Sequence, residues 1–122
     1  VTHDMAVIRE ETFGPILPVM AFDSVDEAVR LANDTVYGLS AAVIAGSIEE
    51  AEAVGRQLEA GAVTLNDAAL TALFHEAEKQ SFKQSGLGPS RMGAAGLLRF
   101  FRRKALIAQT GAPAPLSAFC EG

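Results

Sequence analysis

Chemistry in this sequence is concentrated in a few short clusters of acidic, aromatic and amide side chains. Positions 10–15 read Glu10-Glu11-Thr12-Phe13-Gly14-Pro15. The rigid Gly-Pro turn presents a carboxylate and a ring from a stiff loop. A carboxylate accepts two sugar hydroxyls well, and an aromatic face pins a flat heterocycle. Read from the residues alone, the plainer alternative is a pair of solvated acids ahead of a strand. Asn66 and Asp67 form a second cluster, a polar pair directly after an apolar run. Such a pair holds a substrate carbonyl or a catalytic loop, or it closes the strand as an Asx turn.

Other candidates carry less. His75 and Glu76 are adjacent in sequence, so on a helix they point in different directions, which argues against a general-base pair. Cys120 has no neighbouring His or Lys to lower its pKa and activate it as a nucleophile. Gly86-Leu87-Gly88 follows no strand and lacks a correctly spaced third glycine, so it is not a dinucleotide fingerprint. His3, near the start of the sequence, carries no functional reading.

These groups need a scaffold, and hydrophobic periodicity supplies one. The apolar run from Ile16 to Phe22 predicts a buried strand. Ser24 and Glu27 form a capping box that opens a helix, with Val25, Ala28, Val29 and Ala32 on one apolar face; Asn33-Asp34 and Gly38 end it. Leu39 to Ala45 predicts a second strand, and Ser47 with Glu50 opens a second helix after the turn at Gly46. Ile48, Ala51, Val54, Gly55 and Leu58 form its buried face, and Gly61 is placed to adopt the left-handed conformation just past its end. Ala62 to Leu65 predicts a third strand. The fold class is therefore α/β, a parallel β-α-β-α-β segment with right-handed crossovers. Three strands make a narrow sheet, and its unpaired edges point to further strands elsewhere. Beyond Asn66, Ala68 to Lys79 predicts a helical turn or two and Gln80 to Gly93 a glycine-punctuated loop. Ala94 to Arg103 predicts a helix, Ala105 to Gln109 a short strand, and Thr110 to Gly122 a loose tail.

Composition bounds the class. The chain has 122 residues, 49% of them hydrophobic and 20% charged, with a net charge of -5; this is one globular domain's worth of chain, not a disordered, collagen-like or coiled-coil sequence. Its apolar stretches are too short to span a bilayer, so no membrane partner is expected. A single cysteine excludes an internal disulfide framework and points to a reducing, cytoplasmic setting. Charge is uneven: residues 1–78 carry 14 acidic and 3 basic side chains, and residues 79–104 carry 7 basic and no acidic ones. The basic run either meets phosphate or packs on acidic surface of the same molecule or a partner subunit. Its aromatic interleaving is limited to Phe82, Phe100 and Phe101, so no nucleic-acid partner is expected.

Taken together, the motifs resemble the C-terminal part of the catalytic domain in the aldehyde dehydrogenase superfamily. Asp4-Met5 followed by Glu10-Glu11-Thr12-Phe13-Gly14-Pro15 is similar to the family's D-M and E-E-x-F-G-P. Asn33 with Tyr37-Gly38-Leu39-Ser40-Ala41 is similar to A-N-x-x-x-Y-G-L-x-A, Gly61 to Asn66 to G-x-V-x-x-N, and Phe82-Lys83, Ser85-Gly86 and Gly88 to the late aromatic-K-x-S-G-x-G stretch. The resemblance runs to about Ile107 and departs from the family at Lys79-Gln80-Ser81, in place of F-G-G, and at Pro89-Ser90-Arg91, in place of G-R-E.

The resemblance implies that Glu11 binds the ribose of the nicotinamide half of NAD or NADP and that Phe13 packs near the nicotinamide ring. It puts Asn66 and Asp67 at the inner end of the aldehyde tunnel and Leu70 to His75, including His75 itself, close to the substrate. It implies a nucleophilic cysteine, a base glutamate and a Rossmann-like domain upstream of the E-E-x-F-G-P motif, so this chain alone is expected to be inactive. Residues 1–109 then form part of the catalytic domain with an oligomerisation element, and 110–122 the tail. Leu97 to Ile107 is the implied subunit contact of a homo-oligomer, a dimer or tetramer. The activity implied is NAD(P)-dependent oxidation of an aldehyde to a carboxylic acid. The alternatives are a CoA-acylating aldehyde dehydrogenase and a non-catalytic α/β binding or assembly module.

Overall fold

A computed structural model of the chain describes residues 1–89 and 92–112. Its helices begin where the sequence supplies caps. Ser24 accepts a hydrogen bond from the Glu27 N–H at 3.2 Å and opens α2 (Val25–Asn33), while the Glu27 carboxylate reaches back to the N–H of Asp23 at 2.8 Å. Ser47 accepts from Glu50 N–H at 3.1 Å and opens α3 (Ile48–Gly55). Each cap satisfies one of the free donors of a first turn. A short α1 (Ala6–Arg9) precedes them, an element the sequence did not signal.

Between the capped helices run β1 (Tyr37–Gly38) and β2 (Ala41–Val43), and after α3 comes β3 (Val63–Leu65). β2 and β3 pair in parallel, Ala41 with Val63 and Val43 with Leu65, so β2-α3-β3 is a complete crossover unit. The α/β class therefore holds. α3 packs on this pair and contributes Ala51, the one fully buried large-or-small apolar side chain among the described residues.

The expected first strand does not form. Residues 16–22 enter no ladder, and Leu17 and Val19 are 86% and 71% exposed. Pro18 removes one donor inside the run, and an apolar stretch without a partner strand has nothing to complete its hydrogen bonds. The buried face expected for α3 is also only partly sealed, since Ile48 remains half-exposed.

After α4 (Leu70–Leu73), the segment expected to be loop holds two short strands, β4 (Gln80–Lys83) and β5 (Gly88–Pro89). They form an antiparallel sheet in the order β1-β4-β5, with Tyr37 opposite Lys83 and Gln80 opposite Pro89. Gly61 joins the two sheets: its N–H donates to the Gly38 carbonyl at 3.0 Å, and its carbonyl accepts from Gln80 N–H at 3.1 Å. Gly61 is not among the residues of positive φ. Glycine is required there by close approach, because a Cβ would lie 1.9 Å from the Gln80 carbonyl oxygen.

α5 (Gly93–Leu98) follows, ending five residues before the expected helix, which ran to Arg103. Residues 105–109 form no strand; Leu106 and Ile107 are exposed. Of the expected tail, residues 113–122, with Cys120, lie outside the described residues, as does Arg91.

Two polar nodes hold the connections. Asn33, at the end of α2, donates through its side-chain amide to the Gln57 carbonyl and accepts from Glu59 N–H, both at 2.8 Å. Lys83 donates to the Asn33 carbonyl at 2.7 Å and pairs with Glu59 at 2.8 Å. At Lys83, then, the basic segment packs on the acidic part of the same chain. At the same end of α2, on its C-cap Asp34, His3 donates to the carboxylate at 2.7 Å and Arg9 pairs with it at 3.2 Å. The His3 hydrogen bond, and after it the Arg9 charge, hold the Asp34 carboxyl below its usual value.

Candidate functional site

The acidic-aromatic loop stands clear of the rest of the chain. Glu11 is exposed, and its carboxylate has no partner among the described residues. Phe13 is 94% exposed, although burying a phenylalanine is worth about 1.5–3 kcal/mol. The loop is stiff all the same. Ile16 N–H donates to the Gly14 carbonyl at 2.9 Å across Pro15, and Thr12 donates to the Glu10 carbonyl at 3.4 Å. A fixed loop thus offers an unpaired carboxylate and a bare ring two residues apart.

Asn66 closes the parallel pair. Its side-chain oxygen accepts from Ala45 N–H at 2.8 Å, its own N–H donates to the Val43 carbonyl at 2.7 Å, and its φ is 56°. Asparagine tolerates this left-handed conformation better than most residues. Asp67 accepts from Ala69 N–H at 2.7 Å, an Asx turn that leads into α4. Both amide and carboxylate therefore build the turn between β3 and α4. His75 lies past the end of α4, exposed, with its carbonyl accepting from Gly93 N–H at 3.0 Å.

Beneath the turn, a cavity of about 580 Å³ separates β3 from α4, lined by Ile48, Val63, Leu65, Leu70, Phe74 and Lys79 among others. Asn66, Asp67 and His75 do not line it, although their sequence neighbours Leu65, Leu70 and Phe74 do. Glu11 and Phe13 sit outside it on their own loop. Lys79, read in the sequence as part of the basic run and as the start of the departure from F-G-G, emerges as a cavity residue. Its donor bond to the Thr71 carbonyl spans α4 and has no signature in residue type alone. Among the described residues no group of three or more His, Cys, Asp or Glu is placed to hold a metal, and no helix is long and apolar enough to cross a membrane.

The α/β segment thus carries an exposed acidic-aromatic loop, a polar turn after β3 and a cavity of mixed apolar and charged lining between β3 and α4. The sequence matches the aldehyde dehydrogenase family over residues 1–106, and the chain belongs to that family. It is 44% identical over 94 residues to betaine aldehyde dehydrogenase of Bacillus subtilis, covering 77% of this chain and 19% of that protein. Among solved structures, a protein assigned as aldehyde dehydrogenase PutA from Anabaena variabilis superposes with a TM-score of 0.86 at 61% identity, covering 95% of this chain and 25% of that one. A point mutant of Staphylococcus aureus betaine aldehyde dehydrogenase in complex with NAD+ superposes at 0.83 with 34% identity, covering 99% of this chain and 24% of that one. The chain spans about a fifth of the length of the curated relatives it matches.

Proposed function

We propose that this chain is the part of an NAD(P)-dependent aldehyde dehydrogenase that supplies a ribose-binding carboxylate, a ring contact and one side of the aldehyde channel. The whole enzyme oxidises an aldehyde to a carboxylic acid. The observation that carries the reading is the loop at 10–15, where Glu11 has no partner among the described residues and Phe13 is 94% exposed. An unpaired carboxylate fits two vicinal sugar hydroxyls, and a bare ring fits a flat heterocycle, so the donor set suits the nicotinamide half of NAD or NADP. When bound, the cofactor supplies the hydride acceptor. Glu11 fixes the ribose, Phe13 limits where the ring can lie, and Asn66 and Asp67 shape the channel by holding the turn above the cavity, with His75 beside the substrate.

The surface supports a larger protein around this segment. Large apolar side chains stay exposed along the described residues, among them Phe13, Leu17, Val19, Ile44 and Leu87, a surface that asks for cover. Residues 1–109 belong to the catalytic domain in this reading, with 110–122 as a tail. Leu97, Leu106 and Ile107, all exposed, contribute to the subunit contact of a cytoplasmic dimer or tetramer.

The test is to incubate the full-length protein with a panel of aldehydes and NAD+ or NADP+, following reduced cofactor and identifying the product. Aldehyde-dependent reduction with a free carboxylic acid as product is expected. Reduction that requires CoA and gives a thioester would establish the acylating alternative, and no reduction with any aldehyde would favour a binding module.

A further inference from the structure

Lys79 and Glu78 are the two charged side chains that line the cavity, and an apolar channel explains neither. It lines the cavity of about 580 Å³ between β3 and α4 and also a smaller one of about 300 Å³ that reaches Leu39 and Ala62. Residues 72–78 are all exposed, yet Lys79 is half-buried. Its ammonium donates to the Thr71 carbonyl, which uses one of three donors. No carboxylate pairs with it among the described residues. Lys83, four residues on, has Glu59 at 2.8 Å, and the adjacent Glu78 is committed to Ala95 N–H at 3.2 Å. Lys79 is thus a half-buried cation with free donors, its cavity lined by Ile48, Val63, Leu65, Leu70 and Phe74 with Glu78 held by the Ala95 N–H, and such a cation is costly unless an anion meets it.

We propose that Lys79 is a specificity-determining residue, selecting ligands that carry a carboxylate at the end of an apolar body. Resting on the reading above, this names the substrate class as aldehydes with a distal carboxylate. The apolar walls take the methylene chain, and the two remaining ammonium donors take the carboxylate. The cavity volume lies in the range of small-ligand sites.

The experiment compares 6-oxohexanoate with hexanal in the full-length enzyme, two aldehydes of one chain length that differ in the terminal carboxylate. Wild type is expected to favour 6-oxohexanoate in kcat/KM. Lys79→Met lowers the ratio of the two kcat/KM values by about tenfold or more, the scale of a charged hydrogen bond, while Lys79→Arg keeps it within about threefold of wild type. An unchanged ratio in Lys79→Met, or no preference in wild type, overturns the proposal. Adipate binding by calorimetry separates the two readings, because it needs no turnover. Binding that is lost in Lys79→Met without any aldehyde oxidation upholds the anion site and defeats the dehydrogenase reading. Oxidation of both aldehydes with no selection does the reverse.

Discussion

Replacing Glu11 with Gln in the full-length enzyme is expected to reduce kcat/KM for the cofactor by about 10- to 100-fold. The substitution keeps side-chain length and one acceptor oxygen but exchanges a charged acceptor pair for a neutral amide. Hydrogen bonds to charged groups are worth about 1.5–3 kcal/mol, which sets that range. Where the loss falls is informative. A ribose contact made equally in the ground and transition states appears in KM, and one that tightens as hydride moves appears in kcat. Stability should not follow, because Glu11 is exposed and has no partner among the described residues to lose. Steady-state kinetics with varied NAD(P)+, alongside thermal unfolding, checks both halves. Unchanged kinetics would remove Glu11 from the cofactor site.

The largest structural effect is expected at Gly61. A methyl group there would sit 1.9 Å from the Gln80 carbonyl oxygen and 2.3 Å from its carbon. Both obstacles are backbone, so no side-chain rotation relieves them. The pair cannot separate without breaking the hydrogen bonds that run from Gly38 through Gly61 to Gln80. Gly61→Ala therefore costs about 3 kcal/mol or more, the upper range of overpacking. In the full-length protein this reads as a lowered unfolding midpoint or loss of soluble product. Gly14→Ala, where nothing lies within 4 Å, is the control and leaves the midpoint in place. A Gly61→Ala protein as stable as wild type would mean that β4 does not dock against this residue.

The contrast at Gly61 shows what kind of information the sequence carries. A glycine just past a helix reads locally as a left-handed cap, but its constraint comes from a strand nearly twenty residues later. Local signals were legible: the Ser24 and Ser47 caps, the apolar spacing of α2 and α3, and the β2-α3-β3 crossover all follow from neighbours within a turn or a unit. The antiparallel pairs β1-β4-β5 were not, because two-residue bridges through Gly38 and Gly88 have no periodicity to detect. Residues 16–22 show the opposite error. An apolar run predicts burial, but a strand exists only when a partner supplies its hydrogen bonds. At the proposed site, Glu11 and Phe13 were singled out by a contiguous motif and the family resemblance it carries. The commitment of Asn66 to the Ala45 and Val43 backbone, and the cavity position of Lys79, depend on contacts between segments and became visible only in three dimensions.

The central claim is that the loop at 10–15 holds the nicotinamide half of the cofactor, and a crystal structure of the full-length enzyme with NAD+ tests it most directly. The account predicts the Glu11 carboxylate about 2.5–3.0 Å from the ribose hydroxyls, with the Phe13 ring against the nicotinamide. A ribose held by other groups, with Glu11 and Phe13 turned away from the cofactor, would contradict it.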